Sequence, residues 1–131
     1  MARYAFPAIF TKEAEGGFSI SFPDLDGCFT CGDDLADGIF MAEDALALML
    51  YDLEEAGADI PAPSPVGAVA VDSDSFVVPI ACDTMVYRKR NNTKAVKKTL
   101  SIPEWLNEVA LEQNVNFSQV LQDALMEKCG V

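Results

Sequence analysis

Histidine is absent from this 131-residue chain. That removes the commonest general base near neutral pH and the usual imidazole ligand for nickel or copper. An enzyme built here would have to work with carboxylates or lysine. Positive charge is nearly missing from the first 85 residues, where Arg3 and Lys12 stand against 16 acids. No apolar run reaches the ~18 residues needed to cross a bilayer, so no membrane partner is expected. The opening "MARYAFPAIF" lacks a signal peptide's long apolar stretch and small-residue cleavage site, and the expected location is the cytoplasm.

Cysteine is sparse, and only Cys28 and Cys31 of the four form a C-x-x-C pair. A redox pair wants its first sulfur at a helix N-terminus, where the dipole favours thiolate. "CFTC" reads instead as a strand, in which residues three apart point to opposite faces. That geometry suits neither redox chemistry nor shared zinc ligation, and no cofactor or metal is expected.

Charge divides the chain. Residues 1–85 sum to −14 and residues 86–131 to +2, within a total of −12. Six of the seven bases in the second part fall between Arg88 and Lys98, with no acid among them. The expected organisation is an α+β domain over 1–85, a basic linker over 86–94 and a second domain over 95–131.

In the first part, Tyr4, Phe6, Ala8 and Phe10 alternate along one strand, and Phe18, Ile20 and Phe22 along a second. Gly16 and Gly17 between them permit a hairpin. "PDLDG" turns the chain into a third strand, "CFTCG". Asp33 or Asp34 can cap a helix carrying the apolar stripe Leu35, Ile39, Ala42, Leu46, Met49, Leu53 and Ala56. "SFVVPIACD" reads as an edge strand, because Pro79 cannot donate to a ladder. The expectation is a small antiparallel sheet packed by one helix.

In the second part, Val96, Leu100 and Ile102 alternate with Lys97, Thr99 and Ser101, and Lys98 interrupts the apolar side. Pro103 opens one helix. Ser118, with Phe117 before it as a hydrophobic staple, is expected to cap another. One short strand and two helices cannot bury enough surface alone. Two copies pairing their strands antiparallel would solve this and make a dimer. The paired ribbon fits the DNA major groove and would present Lys97, Thr99 and Ser101 to base edges. Arg88, Arg90 and Lys94 would neutralise phosphates. The N-terminus of the second helix, at Ser118 and Gln119, would offer N–H groups to another phosphate.

These segments carry a resemblance. Residues 95–129, with "KKTLSIPEWLNEVALEQNVNFSQVLQDAL", resemble a ribbon-helix-helix DNA-binding domain. Residues 3–65 are similar to the N-terminal domain of HicB antitoxins through "YAFPAIFTKEAEGGFSISFPDLDGC", "TCGDDLADGIFMAEDALALMLYDLEEAG" and "IPAPS". Lys98 departs from the pattern, since such strands usually carry an apolar residue there. The resemblance implies a partial RNase H-like fold for the first domain and no catalysis. It implies that this domain masks a HicA-type toxin, a small RNA-cleaving protein, and that the second domain represses the shared promoter by binding operator DNA. It also implies a dimer that can pair again into a tetramer. Asp24, Asp26, Asp33 and Asp34 are the candidate toxin contacts, although "DLDG" is also an ordinary turn. The competing readings are a ribbon-helix-helix repressor with a ligand-sensing first domain and an RNase H-type nuclease using clustered carboxylates and Mg²⁺.

Overall fold

The computed structural model describes residues 2–131 as two compact units, 1–94 and 95–131, of which residue 1 is left undescribed. The first unit begins with β1 (Arg3–Lys12), β2 (Phe18–Ser21) and β3 (Phe29–Gly32). It continues with α1 (Leu35–Glu55), a 3-10 turn (Val66–Ala68), β4 (Ser75–Asp83) and α2 (Thr84–Asn91). The strands form one antiparallel sheet in the order β3-β2-β1-β4.

Local chemistry sets this order. Gly16 and Gly17 both adopt positive φ, which closes the β1–β2 hairpin with Glu13 N–H donating to the Gly17 carbonyl. β4 lies at an edge, as Pro79 requires, and faces Pro7 across the ladder. Two prolines can oppose each other only where neither owes its neighbour an N–H. α1 starts at Asp34, whose carboxylate accepts the Asp37 N–H. The Asp37 carboxylate in turn accepts the Asp33 N–H, a reciprocal cap.

Phe6, Ala8 and Phe10 of β1, Ile20 of β2 and Ile80 of β4 form the buried face of the sheet. Ala42, Leu46 and Leu50 of α1 cover it, and Phe22, Leu25 and Cys28 of the "FPDLDGC" turn close one end. The helix differs in detail from its expected stripe. Leu35 and Ala56 lie exposed at its ends, while Gly38, Ala47 and Leu50 are buried. α2 packs beside the C-terminal half of α1, which widens the covered sector on that flank.

Two glycines set how closely α1 approaches the sheet. A Cβ on Gly32 would lie 2.4 Å from the Gly38 Cα, and one on Gly38 would lie 2.9 Å from Phe10 Cε2. Backbone cannot yield as a flexible side chain can. Gly32→Ala is therefore expected to cost about 2–3 kcal/mol by forcing helix from sheet. Gly67→Ala, which meets open space, should leave the melting temperature unchanged. Thermal melts of the two variants check this.

The second unit contains α3 (Glu104–Glu112) and α4 (Phe117–Cys129), preceded by residues 92–103 without regular structure. No strand ladder forms over 95–102 within the single chain. A strand of this kind needs a partner strand, and the chain holds only one such segment. α4 is capped by Asn116, whose side chain accepts the Gln119 N–H, and not by Ser118 as expected. The helix starts two residues earlier than a Ser118 cap implies, so Ser118 lies in its first turn. Gly130 ends α4 in the left-handed region.

The residues read as a linker behave differently. Residues 84–91 form α2 and belong to the first unit. The first unit therefore takes in the residues read as a linker and extends through residue 94, and the second unit begins at residue 95. Counted by unit, residues 1–94 hold 16 acids and 6 bases, and residues 95–131 hold 5 acids and 3 bases. The second unit is thus not itself positive. Its cationic groups are Lys97 and Lys98 on the extended segment and Lys128 near the C-terminus.

Candidate functional site

Two regions bear on function, one in each unit. In the first unit the expected aspartates divide by role. Asp24 accepts both the backbone N–H and the hydroxyl of Ser64, at 2.9 and 2.5 Å. It fastens the long segment after α1 to the turn, a link 40 residues long that local reading of "DLDG" misses. Asp33 and Asp34 shape the α1 cap, and both remain exposed. Asp26 is exposed beside them in sequence but makes no comparable bond.

Arg88, expected at DNA phosphates, is held inside the first unit. It bonds Glu54 Oε1 at 3.0 Å, pairs with Glu55 and stacks over the Tyr51 ring, 4.6 Å from its centroid. Only 18% of its side chain is exposed. The Tyr51 and Tyr87 rings meet at 5.3 Å beside it. Tyr4 and Thr84 each donate to Glu54 Oε2 at 3.0 Å. Burial by itself would raise the Glu54 carboxyl, but hydrogen bonds, those from Thr84, Tyr4 and Arg88 among them, outweigh it and hold the group at about 2. The cluster ties β1, α1 and α2 together. Arg90 and Lys94, in contrast, are exposed.

The cysteines take the roles their strand geometry implied. Cys28 is buried, with its thiol donating to the Ala45 carbonyl, and Cys31 is exposed. Burial, with Asp83 alongside, pushes the Cys82 thiol up to about 11, and burial raises Cys28 as well. Neither is a thiolate at neutral pH. Among the described residues, no group of three or more His, Cys, Asp or Glu could hold a metal ion. The carboxylate cluster of an RNase H-type nuclease does not form there.

In the second unit none of residues 95–131 is buried. An open apolar cleft of about 740 Å³ runs between the extended segment and the helices. Leu100 and Ile102 line one side and Leu106, Val109, Val120 and Leu121 the other. Lys98 also lines it, while Lys97, Thr99 and Ser101 do not. The alternation read from the sequence therefore survives without a ladder. Lys97, Thr99 and Ser101 are all exposed. Ser118 borders the cleft, and the Gln119 side chain bonds Asp123 at 2.8 Å. The Gln119 N–H is spent on the Asn116 cap, so of the two expected N–H groups only that of Ser118 is left unclaimed by the cap.

Comparison with known proteins places this geometry. Residues 6–124 match the family described as the HicB-like antitoxin of bacterial toxin-antitoxin systems. The chain is 37% identical over 67 residues to Antitoxin HicB 1 of Photorhabdus laumondii, a stretch covering 51% of this chain and 43% of that protein. It thus spans less than half the length of that relative. Among solved structures, it resembles a chain of a toxin-antitoxin complex from Streptococcus pneumoniae. That match has a TM-score of 0.63 and 26% identity, and covers 96% of this chain and 99% of the other. A chain of the HicA3 and HicB3 toxin-antitoxin complex matches with a TM-score of 0.51 and 29% identity, covering 61% of this chain and 99% of that one. The Burkholderia pseudomallei antitoxin HicB shares the fold at a TM-score of 0.55 and 20% identity, over 95% of this chain and 98% of that one. With the family match extending across both units, this chain belongs to the HicB-like antitoxins of bacterial toxin-antitoxin systems.

Proposed function

We propose that the two units divide the work of an antitoxin. The first binds and masks a HicA-type RNA-cleaving toxin, and the second pairs with a second copy and represses its own operon by binding operator DNA. The observation that carries the division is the second unit's lack of any buried residue around an apolar cleft. A 37-residue unit of this kind has no core until another copy supplies one. Pairing the extended segments across a two-fold axis would bury Leu100 and Ile102 and leave Lys97, Thr99 and Ser101 on the outer face. A two-stranded ribbon of that width enters the major groove.

The acidic first unit supports the other half of the reading. A toxin that grips RNA must present positive charge to phosphates. An acidic surface attracts such a protein and speeds its encounter. The similarity to a chain of a HicA3 and HicB3 complex points to the same class of partner.

Two measurements test the proposal. Titrating the full chain into an active toxin of this class should abolish RNA cleavage at equimolar ratio. Continued cleavage despite excess chain would refute the masking role. For DNA, Lys97→Ala or Thr99→Ala should weaken operator binding by about 1–3 kcal/mol and relax sequence preference. Lys94→Ala should weaken all DNA comparably and flatten the salt dependence. Operator binding by the Lys97 and Thr99 variants at full strength would remove the ribbon from the DNA interface.

A further inference from the structure

α1 carries more apolar surface than its own fold uses. Its core side is built from Gly38, Ala42, Leu46 and Leu50. On the opposite side, Phe40 is 66% exposed and Leu48 46% exposed, with Met41 between them. A solvated helix face has no need of an aromatic ring. Asp37, Met41, Asp44, Leu48 and Asp52 recur at spacings of four, three, four and four, so acids and apolar side chains interleave on one face. Asp44 and Asp52 are exposed, and Asp37 is partly buried. α2 docks against the C-terminal end of this same face, through Tyr51 and Glu55 and with Tyr87 close enough to Asp44 and Asp52 to feel their charge, and it leaves Phe40 and Leu48 exposed.

We propose that this outer face of α1 is the surface on which the toxin docks, with Phe40 and Leu48 as its apolar anchors and Asp44 and Asp52 as its charged contacts. The inference rests on the reading of the first unit as the toxin-binding part. The occupant follows from charge. A second copy seated here by two-fold symmetry would set the same acid-studded face against itself, and the like charges would repel. A partner with basic groups around apolar recesses satisfies both kinds of side chain. The toxin's RNA-binding surface is necessarily basic. Acids from α1 would then occupy positions that phosphates otherwise take, and binding would exclude RNA directly. Anchors near the centre of such an interface, rimmed by charge, carry most of its affinity.

The experiment uses the full chain and a toxin inactivated in its own active site, with affinity measured at several salt concentrations. The double variant Phe40→Ser/Leu48→Ser should bind roughly 100-fold more weakly, with an unchanged melting temperature because neither side chain belongs to the core. Asp44→Lys should slow association and reduce its salt dependence. Tight binding by the wild-type chain and equally tight binding by the double variant would overturn the surface while leaving the toxin-binding role intact. No binding by the wild-type chain would overturn that role and the surface with it. A drop in the wild-type oligomeric state on making the double variant, with toxin affinity unchanged, would assign the face to contacts between copies and overturn the proposal.

Discussion

Leu121→Asp is expected to dissociate the chain into monomers and to lower operator affinity by at least ~100-fold. Leu121 lines the apolar cleft of the second unit together with Leu100, Ile102 and Val109. In a single copy it is only half-buried, so the aspartate would cost the isolated chain little. In a pair of copies it would sit in the shared core without a counter-ion. An unpaired buried charge costs several kcal/mol, and the two-fold axis doubles the count. Leu111 supplies the control. It is apolar, exposed and outside the cleft. Leu111→Asp should leave both the oligomeric state and DNA binding intact. Sedimentation of the two variants, followed by operator titration, separates the outcomes. A dimeric, operator-binding Leu121→Asp protein would show that the cleft is not where copies meet.

The same cleft shows what the sequence could and could not disclose. The alternation of Leu100 and Ile102 with Thr99 and Ser101 was readable, because side-chain direction in extended backbone follows from spacing alone. The single chain forms no ladder over 95–102, and the proposed pairing of two copies would supply one. Pro79 marked an edge strand for an equally local reason, and Gly16 and Gly17 marked the hairpin. Some failures involve partners distant in sequence, and one is local. The run from Arg88 to Lys94 looked like a free cationic linker, because a charge count does not reveal Glu54 and Glu55 more than 30 residues away. Asp24 does lie in the expected turn, but its two bonds to Ser64, 40 residues away, are not legible in "DLDG". The α4 cap was misplaced by two residues because Asn116 and Ser118 are both good caps, and only the backbone decides between them. In the acidic helix, periodicity located the core side correctly through Ala42 and Leu46. It gave no reason to ask what Phe40 and Leu48 do on the other side.

The second large effect concerns Glu54. Glu54→Ala is expected to destabilise the first unit by about 3 kcal/mol, because it removes one of the two carboxylates that hold Arg88 and the shared acceptor of the Tyr4 and Thr84 hydroxyls. α2 has only eight residues, too few to hold a helix without tertiary contacts. Amide exchange across 84–91 should therefore accelerate more than the global loss accounts for. Acid should reproduce part of this in the wild-type chain. The Glu54 carboxyl lies at about 2 when folded, against an ordinary value of 4.5. Its folded value is depressed, so its contribution is complete above about pH 4.5, where both folded and unfolded forms are ionised. Below that the unfolded chain takes up the proton first, and the contribution shrinks as pH falls toward 2. With its side chain 10% exposed, the ionised group is worth of order 2 kcal/mol at neutral pH. Glu54→Gln keeps the shape and removes the titration. The gap in unfolding free energy between wild type and Glu54→Gln should be widest at pH 6 and substantially narrower at pH 3, as measured by denaturant melts. A gap that stays constant between those two values would mean that the carboxylate is not what fastens α2, and that packing of the Tyr51 and Tyr87 rings does so instead.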